Sequence, residues 1–577
     1  MDSSNTLKIQ TAESRFSDNH MAAAGHRLAA EAARDVLDTG GNAADAGVCG
    51  GICLAVLLSE YVNFAGVAPI IYRLHETGEV FTISGLGWWP QKASLEVIQR
   101  DYGGKIPLGI LRTVVPGAPD AWITALEQFG SMSFGEVARA AIQFARHGFA
   151  VSGLSAEIYA AEAEELRRWP ENERIYLPNG RPPRAGETLV LDDLAGSLQY
   201  MADEEQAAAT RGRAAGLQAA RAAFYQGDIA RKIVGYHADH NGWLTADDLA
   251  AFRVEVEPAS RSNFYGLEIY TCGPWCQGPL LSQVLNILEA GGIHHITPGA
   301  PAYIHTIVEA LKLGFADRHA FYGDPRFVDV PLQGLLSPVY ARQRAAEISP
   351  EKAWAGMPAA GKIAGLDHGS RILRSSVEDG HRPAERDTSF ICVVDCQGNC
   401  FAATPSDVNS TAPIIPGTGL IPSPRGSQSF EDPSHPACLA PGKRPRLTPN
   451  PAIVIDPGRW AMPFGTPGND VQVQALAEVL LHIHLHQMPV QEAIEAPRFA
   501  TMSFPQTSTP HEYHKDLLLL EDRFPADICD FLSHAGHKVK KWREFDWRAG
   551  AVCAIKRDEK TGRLEGGADP RRPSGVA

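Results

Sequence analysis

One short hairpin late in the chain constrains the fold more than any other stretch. Phe390 to Val394 is rich in β-branched and aromatic residues, which is typical of a buried strand. Asp395 to Asn399 contains a glycine and favours a tight turn, after which Cys400 to Thr404 forms a second apolar run. The pattern therefore predicts two paired strands that follow a polar, charged segment and begin at Thr388.

Thr388, at the start of this hairpin, carries a hydroxyl group. Cleavage of the chain before Thr388 would give the same residue a free α-amine as well. If the chain were cut before Thr388, its α-amine would have a pKa of about 7.7–8.0 and could take the hydroxyl proton near neutral pH. One residue would then supply both the nucleophile and the general base. The alternative is that Thr388 only begins a strand, and the triplet Asp387-Thr388-Ser389 does not decide between the two interpretations.

The segment from Asp387 to Asn399 resembles the start of the small subunit in the γ-glutamyltransferase family. The family pattern there is Asp-Thr-Thr-His-x-x-Val-Val-Asp-x-x-Gly-Asn, and this chain keeps the Asp-Thr, Val-Val-Asp and Gly-Asn parts. The resemblance covers nearly the whole chain and includes Gly40 to Ala46, Val115 to Trp122 and Glu492 to Phe499. Membership of this family is therefore our first hypothesis for the chain.

The resemblance implies a fold and a maturation step. The fold would be α+β, a four-layer αββα sandwich of the N-terminal-nucleophile hydrolase type. The chain would be a proenzyme that cuts itself between Asp387 and Thr388. The products, a large subunit of residues 1–387 and a small subunit of residues 388–577, would form one core together.

The same resemblance implies a catalytic set consisting of Thr388, Ser406, Gly468 and Asn469. Ser406 aligns with a family threonine that helps orient the amine of the nucleophile. Gly468 and Asn469 align with an oxyanion loop of two glycines, whose backbone N–H groups stabilise the charge that develops on the substrate. Asparagine is the non-glycine residue that best tolerates the backbone angles of such a loop.

Three positions that bind a γ-glutamyl amino acid in the family have changed. Leu86 replaces an arginine that binds the α-carboxylate, and an apolar side chain cannot replace that group. Gln428 or Ser429, depending on the alignment register, replaces an aspartate that binds the α-ammonium. Leu447-Thr448 replaces a pair of serines, so the three changes predict a substrate that is not a γ-glutamyl amino acid.

We predict that Arg425, Asn409 and Thr448 bind the substrate instead. Arg425 lies in a segment similar to one in the amidase and acylase-like branch of the family, where it could bind a simple carboxylate; the alternative is a solvated loop residue. Asn409 is one residue beyond the expected asparagine position, which Val408 holds.

Composition excludes several classes of partner. The net charge of −14 argues against nucleic acid and anionic membranes. Residues 1–20 contain neither an apolar nor a basic signal region, and no run is long and apolar enough to span a membrane. We therefore expect a cytoplasmic protein, unlike the many exported members of the family, whose partners are a small-molecule substrate and its own two subunits. No cofactor is expected, and the oligomeric state stays open.

The cysteines and histidines do not predict a metal site. The ten cysteines lack paired zinc-binding spacing, and we interpret them as reduced core thiols. His482, His484 and His486 fall in a predicted helix over Val473 to Gln487, which would leave only His482 and His486 on one face.

Two alanine-rich stretches predict helices. Met21 to Leu37 has helical apolar spacing that ends at Gly40-Gly41, and Asn42 begins a second helix. Ala202 to Ala223 is rich in alanine, arginine and glutamate and predicts one exposed helix.

The predicted function is that of a self-cleaving hydrolase or acyltransferase with an N-terminal threonine. Thr388 would attack an amide bond of a small, non-glutamyl carboxylate substrate through an acyl-enzyme. Three alternatives stay open at the level of sequence: a γ-glutamyltransferase or glutathione hydrolase, a carbon–carbon bond hydrolase of a small-molecule pathway, and an uncleaved, inactive scaffold.

Overall fold

The computed structural model describes residues 14–363 and 388–577. Thr388 is the first described residue of the second segment. Asp387, on the other side of the predicted cleavage point, lies outside the described residues.

The strands of the described residues are short and number nineteen. In chain order they are β1 (Arg15–Ser17), β2 (Met21–Ala24), β3 (Ile70–Arg73), β4 (Val80–Ile83), β5 (Phe149–Ala150), β6 (Thr188–Leu189), β7 (Val256–Pro258), β8 (Ser260–Phe264), β9 (Leu267–Thr271), β10 (Ile391–Val394), β11 (Cys400–Ala403), β12 (Ala452–Asp456), β13 (Trp460–Gly465), β14 (Phe499–Thr501), β15 (Leu517–Glu521), β16 (Lys538–Trp542), β17 (Cys553–Asp558), β18 (Leu564–Ala568) and β19 (Gly575–Val576).

Two antiparallel sheets of seven strands form the centre. The hairpin sheet has the order β19-β2-β10-β11-β3-β4-β7, and the second sheet has the order β1-β18-β17-β13-β12-β9-β8. Each sheet combines strands from before residue 364 with strands from after residue 387. Both segments therefore build the same core. The predicted division into residues 1–387 and 388–577 itself stays a prediction.

Helices surround the two sheets. The α-helices are α1 (Arg27–Asp38), α2 (Ala43–Leu57), α3 (Leu95–Asp101), α4 (Ala118–Phe129), α5 (Phe134–His147), α6 (Gly153–Ala161), α7 (Ala163–Leu166), α8 (Pro170–Tyr176), α9 (Asp192–Ala208), α10 (Arg213–Tyr225), α11 (Asp228–Asp239), α12 (Ala246–Ala251), α13 (Gly278–Ala290), α14 (Pro301–Phe321), α15 (Leu332–Leu335), α16 (Pro338–Ala345), α17 (Gln472–His484), α18 (Val490–Glu495) and α19 (Ala526–Ala535). None of the described helices is both long and apolar enough to cross a membrane.

Short 3₁₀ turns connect many of these elements. They lie at Ile110–Arg112, Pro178–Gly180, Ala209–Arg211, Ile293–His295, Arg425–Gln428, Asn469–Val471 and Trp547–Ala549.

The core has four layers, which confirms the predicted αββα sandwich. Alternate residues of β10 point to opposite faces, as the pleat of a strand requires. Cys392 and Val394 pack between the two sheets, whereas Ile391 and Val393 pack against the helical layer of α1 and α2. On the far side, α13, α14 and α17 cover the second sheet with a separate apolar core.

The predicted hairpin is confirmed. β10 pairs with β11 from Ile391 opposite Ala403 to Val394 opposite Cys400. In the turn, Asp395 Oδ1 accepts hydrogen bonds from the backbone N–H groups of Gln397 and Asn399 at 3.0 and 2.9 Å. Its other oxygen accepts from the N–H of Ala43 at 3.0 Å, so one carboxylate ties the turn to the start of α2.

Two of the helix predictions need correction. The helix predicted from Met21 begins only at Arg27, because Met21 to Ala24 pairs with β10 as strand β2. The second helix does begin after Asn42, with a capping box between Asn42 and Asp45. The helix predicted over Ala202 to Ala223 is two helices, broken where Gly212 has a φ of 97°.

The cysteines are all free thiols, and eight of the ten are buried. The prediction of core thiols holds for those eight, and burial raises the pKa of Cys400 to about 12. Cys396 is exposed in the hairpin turn and Cys529 is partly exposed, so neither belongs to the core.

A buried polar network joins the two segments of the chain. The carboxylate of Glu309 on α14 accepts from Lys312 Nζ at 2.8 Å and from the N–H of Trp354 at 2.8 Å. His305 Nδ1 lies 3.0 Å from His537 Nε2, and His305 Nε2 lies 2.8 Å from the carbonyl oxygen of Ser349. His537 thereby links the C-terminal part of the chain to α14.

Replacing Lys312 with methionine tests the importance of this network. The substitution leaves the fully buried carboxylate of Glu309 without its cation, which destabilises proteins by about 3–5 kcal/mol. Urea unfolding followed by circular dichroism measures the change. The matched control is Lys541→Met, because Lys541 pairs with Asp522 at the surface and should unfold like the wild type. Equal urea midpoints for Lys312→Met and Lys541→Met would contradict a stabilising role for the buried network.

Candidate active site

Thr388 lies at the start of the hairpin with its side chain fully buried. It forms an isolated antiparallel bridge with Ser406, and its Oγ1 lies 2.8 Å from Ser406 Oγ. The neighbouring N–H of Ser389 donates to the carbonyl of Pro405 at 3.0 Å, which continues the pairing of the hairpin. The structure therefore brings together the two hydroxyl residues that the sequence predicted.

Ser406 is held from both sides. Its N–H donates to the carbonyl of Val67 at 2.9 Å, and Arg425 Nη2 donates to its Oγ. A guanidinium has donors only, so Ser406 Oγ must accept from Arg425. In the hydrogen bond between Ser406 Oγ and Thr388 Oγ1, either hydroxyl can be the donor.

Arg425 is itself fixed by Asp407. Its Nε donates to Asp407 Oδ1, and Asp407 Oδ2 accepts from Ser423 Oγ at 2.6 Å. Burial raises the pKa of Asp407, while Arg425 and Ser423 lower it. Asp407 also has a φ of 116°, a backbone conformation that is rare outside glycine and that often marks functional sites.

The guanidinium of Arg425 also lines a small cavity. The cavity has a volume of about 10 Å³, room for one water molecule, and is bounded by Asp407, Val408, Thr411, Pro424, Arg425, Ser427 and Ser508. Arg425 is 6% exposed, so the alternative of a solvated loop residue is wrong. Its predicted contact with substrate stays a prediction.

Thr448 and Asn409, the other predicted substrate-binding residues, are fully buried. Gln428 binds Thr448 twice: its Nε2 donates to Thr448 Oγ1 at 3.1 Å, and its Oε1 accepts from the N–H of Thr448 at 3.2 Å. The carbonyl of Asn409 accepts from Asn172 Nδ2 at 2.7 Å. These contacts hold the backbone at Thr448 and at Asn409 in place. Substrate binding by either residue stays a prediction.

The predicted oxyanion loop has the backbone geometry that its sequence requires. Gly468 has a φ of 123° and Asn469 a φ of 49°, so asparagine occupies the left-handed region as expected. Gln277 Nε2 donates to the carbonyls of Asn469 and Thr448 at 2.9 and 3.0 Å. Arg318 in turn donates to Gln277 Oε1 at 3.0 Å and to Asp470. Sequence analysis missed this bridging role of Gln277.

Two of the three positions that differ from the family's γ-glutamyl site belong to one apolar cluster. Leu86 and Leu447, from two of those positions, pack with Trp275. The other members of the cluster are Val67, Cys272 and Cys276. Val67 is the residue that pairs with Ser406, so the cluster adjoins the candidate nucleophile.

Arg572 is a second functional candidate that sequence analysis missed. Its Nη1 donates to the carbonyl oxygen of Thr388 at 3.4 Å, and it is 7% exposed. The only signal in the sequence was an arginine pair, Arg571-Arg572, near the last strands.

The histidines at 482, 484 and 486 have separate surroundings. His482 is partly buried, and desolvation lowers its pKa to about 4; its ring centroid lies 5.8 Å from that of His486. His484 Nε2 lies 3.2 Å from the carbonyl of Tyr265, and His486 Nε2 lies 2.8 Å from Tyr303 Oη. The three residues therefore do not converge on one point.

Another group, which sequence analysis missed, has suitable side chains for a metal. The ligand atoms of His305, Glu309 and His537 lie within 4.8 Å of one another. The carboxylate already binds the ammonium of Lys312, and the two imidazoles bind each other. These contacts form a closed hydrogen-bonded network, so the arrangement does not favour a metal ion.

The four-layer fold is that of an N-terminal-nucleophile hydrolase. Residues 29–577 match the family model described as gamma-glutamyltranspeptidase. The chain therefore belongs to the γ-glutamyltranspeptidase family and is an amidohydrolase of that family.

Individual relatives cover nearly the whole chain. The glutathione hydrolase-like YwrD proenzyme of Bacillus subtilis (strain 168) is 32% identical over 552 residues, 95% of this chain and 96% of that protein. The oxamate amidohydrolase proenzyme of Klebsiella pneumoniae is 29% identical over 578 residues, 98% of this chain and 99% of that protein. The crystal structure of a cephalosporin acylase from Bacillus halodurans superposes with a TM-score of 0.86 at 25% identity, covering 100% of this chain and 99% of that one.

Gly66→Ala tests how tightly the site is packed. A Cβ at Gly66 would lie 2.3 Å from the carbonyl oxygen of Ser406 and 2.9 Å from Asp407 Oδ2. We expect the variant to lose about 1–3 kcal/mol in unfolding free energy, measured by urea denaturation. Gly153→Ala is the control, because a Cβ there meets no atom within 4 Å. Wild-type stability of Gly66→Ala would show that this segment moves without penalty.

Proposed function

We propose that this chain cuts itself between Asp387 and Thr388 and then hydrolyses an amide bond of a small carboxylate substrate. The observation that carries the proposal is the buried contact between Thr388 Oγ1 and Ser406 Oγ at 2.8 Å. It stands at the start of the hairpin in a chain of the γ-glutamyltranspeptidase family. That the relatives are proenzymes supports the cleavage step.

Self-cleavage would begin with attack of Thr388 Oγ1 on the carbonyl carbon of Asp387. An ester bond forms to the oxygen, the C–N bond breaks, and the released nitrogen takes the hydroxyl proton. Water then hydrolyses the ester, which leaves a carboxylate on Asp387 and a free amine and hydroxyl on Thr388. Ser406 would assist by its hydrogen bond to Oγ1.

Turnover would use the same hydroxyl. Thr388 Oγ1 attacks the substrate carbonyl while its α-amine takes the proton. The N–H groups of Gly468 and Asn469 would stabilise the oxyanion, a contribution worth about 3 kcal/mol per donor. The amine then gives the proton to the leaving nitrogen, and water hydrolyses the acyl-enzyme.

The apolar cluster supports a substrate without the amino-acid end of a γ-glutamyl group. A free α-carboxylate and α-ammonium need charged partners, and Leu86, Trp275 and Leu447 offer none. Arg425 would bind the simple carboxylate, next to the cavity that it lines. The names of two relatives, an oxamate amidohydrolase and a cephalosporin acylase, are consistent with amide substrates of this broader kind.

Glutathione hydrolysis is the second candidate, favoured by the names of several relatives. A matched substrate pair separates the two: γ-glutamyl anilide and glutaryl anilide differ only in the α-amino group. We expect a kcat/KM at least about tenfold higher for the glutaryl compound, because an unpaired ammonium is costly to bury. A preference for the γ-glutamyl compound would contradict the proposed substrate class.

Thr388→Ala tests the cleavage step. Intact-mass spectrometry of the wild type should show two fragments that meet between Asp387 and Thr388, and the variant should show one full-length chain. Thr388→Ser is the matched control, because it keeps a hydroxyl group and should still be cut. A single uncut wild-type chain would contradict the mechanism and favour the scaffold alternative.

A further inference from the structure

Arg572 contacts the main chain of Thr388, whereas Ser406 contacts its side chain. The guanidinium of Arg572 also donates through Nη2 to the carbonyl of Trp547 at 3.2 Å. Its Cζ lies 5.0 Å from the ring centroid of Tyr61 and 5.3 Å from that of Trp547, within the range of cation–π contacts. Two hydrogen bonds and two aromatic rings therefore fix a buried cation beside the nucleophile.

Arg571, the residue before Arg572, has different contacts. Arg571 binds two buried carboxylates, those of Glu521 and Asp569. Arg572, in contrast, donates to the carbonyl oxygen of Thr388. Burial lowers the pKa of Arg572 to about 10, which still leaves the group protonated at neutral pH.

We propose that Arg572 is a positioning residue that fixes the main chain of Thr388 and favours the neutral form of its α-amine. The inference rests on the proposed function, because only the cut chain has this amine. A nearby positive charge disfavours protonation of an amine. The proposed mechanism needs the unprotonated amine as its base, so the charge of Arg572 would extend activity to lower pH.

Among the described residues, several other charged or polar groups lie near Thr388 and Arg572. Arg425 reaches Thr388 through Ser406, but Asp407 pairs with it and offsets its charge. Glu60 acts on Arg572 electrostatically, and burial raises the pKa of the Glu60 carboxyl group. The phenol of Tyr61 lies against the guanidinium. Of these groups, Arg572 is the one whose guanidinium contacts the main chain of Thr388 directly.

Competitive labelling measures the amine directly and needs no substrate. The purified cut enzyme is treated with trace acetic anhydride from pH 5 to 9, and acetylation of the peptide that begins at Thr388 is quantified by mass spectrometry. We expect a titration midpoint near 7, about one unit below the 7.7–8.0 of an ordinary α-amine. A midpoint at or above about 8 would overturn the inference even if the enzyme is active.

Two substitutions separate the charge from the packing. Arg572→Lys keeps the charge and should titrate close to the wild type, whereas Arg572→Gln should raise the midpoint by about one unit. The acid limb of kcat/KM against pH should move to higher pH by the same amount. Arg563→Gln, at an exposed arginine that packs on Phe16, is the control and should change nothing.

The outcomes distinguish this inference from the proposed function. An uncut wild-type chain would contradict the proposed function. A cut Arg572→Gln enzyme whose amine titrates like the wild type would contradict the role of Arg572 alone. If Arg572→Gln stays uncut while Arg572→Lys is cut, the positioning role is supported, and the wild-type midpoint decides the role of the charge.

Discussion

The buried hydrogen bond between Thr388 and Ser406 is the contact on which the account of this protein depends. It exists because the hairpin fixes Thr388 at the end of one strand and Val67 fixes Ser406 beside it. The ion pair of Asp407 and Arg425 then holds in place the guanidinium that donates to Ser406 Oγ. A strained aspartate, a buried guanidinium and two hydroxyl groups thus form one connected unit.

The surroundings of this unit combine charged groups at the proposed nucleophile with an apolar surface nearby. Arg425 and Arg572 lie on Ser406 and on the carbonyl of Thr388, respectively, while Leu86 belongs to the apolar cluster around Trp275. The proposed preference for an anionic acyl group without an α-ammonium rests on this combination, because Leu86, Trp275 and Leu447 themselves carry no charge. Substrate class and nucleophile activation would then depend on the same few residues.

Local signals in the sequence were sufficient for the hairpin, for the capping box at Asn42 and for asparagine at a positive φ in the oxyanion loop. Local signals gave the wrong secondary structure where contacts with distant residues decide it. Met21 to Ala24 has helical spacing but pairs as a strand with β10, which lies far along the chain. Arg572 and Thr388 are 184 residues apart, and no spacing rule relates them. The bridge from Gln277 to Asn469 spans 192 residues and was missed for the same reason.

Covalent trapping of the nucleophile tests the central claim most directly. The purified enzyme would be treated with an activated acyl ester, quenched in acid and digested, and the acylated peptide identified by mass spectrometry. The account predicts one acyl group on Oγ of Thr388, at the first residue of the 388–577 fragment, and its absence from Thr388→Ala. An enzyme that turns the ester over while carrying the acyl group on another residue, with Thr388 unmodified, would contradict it.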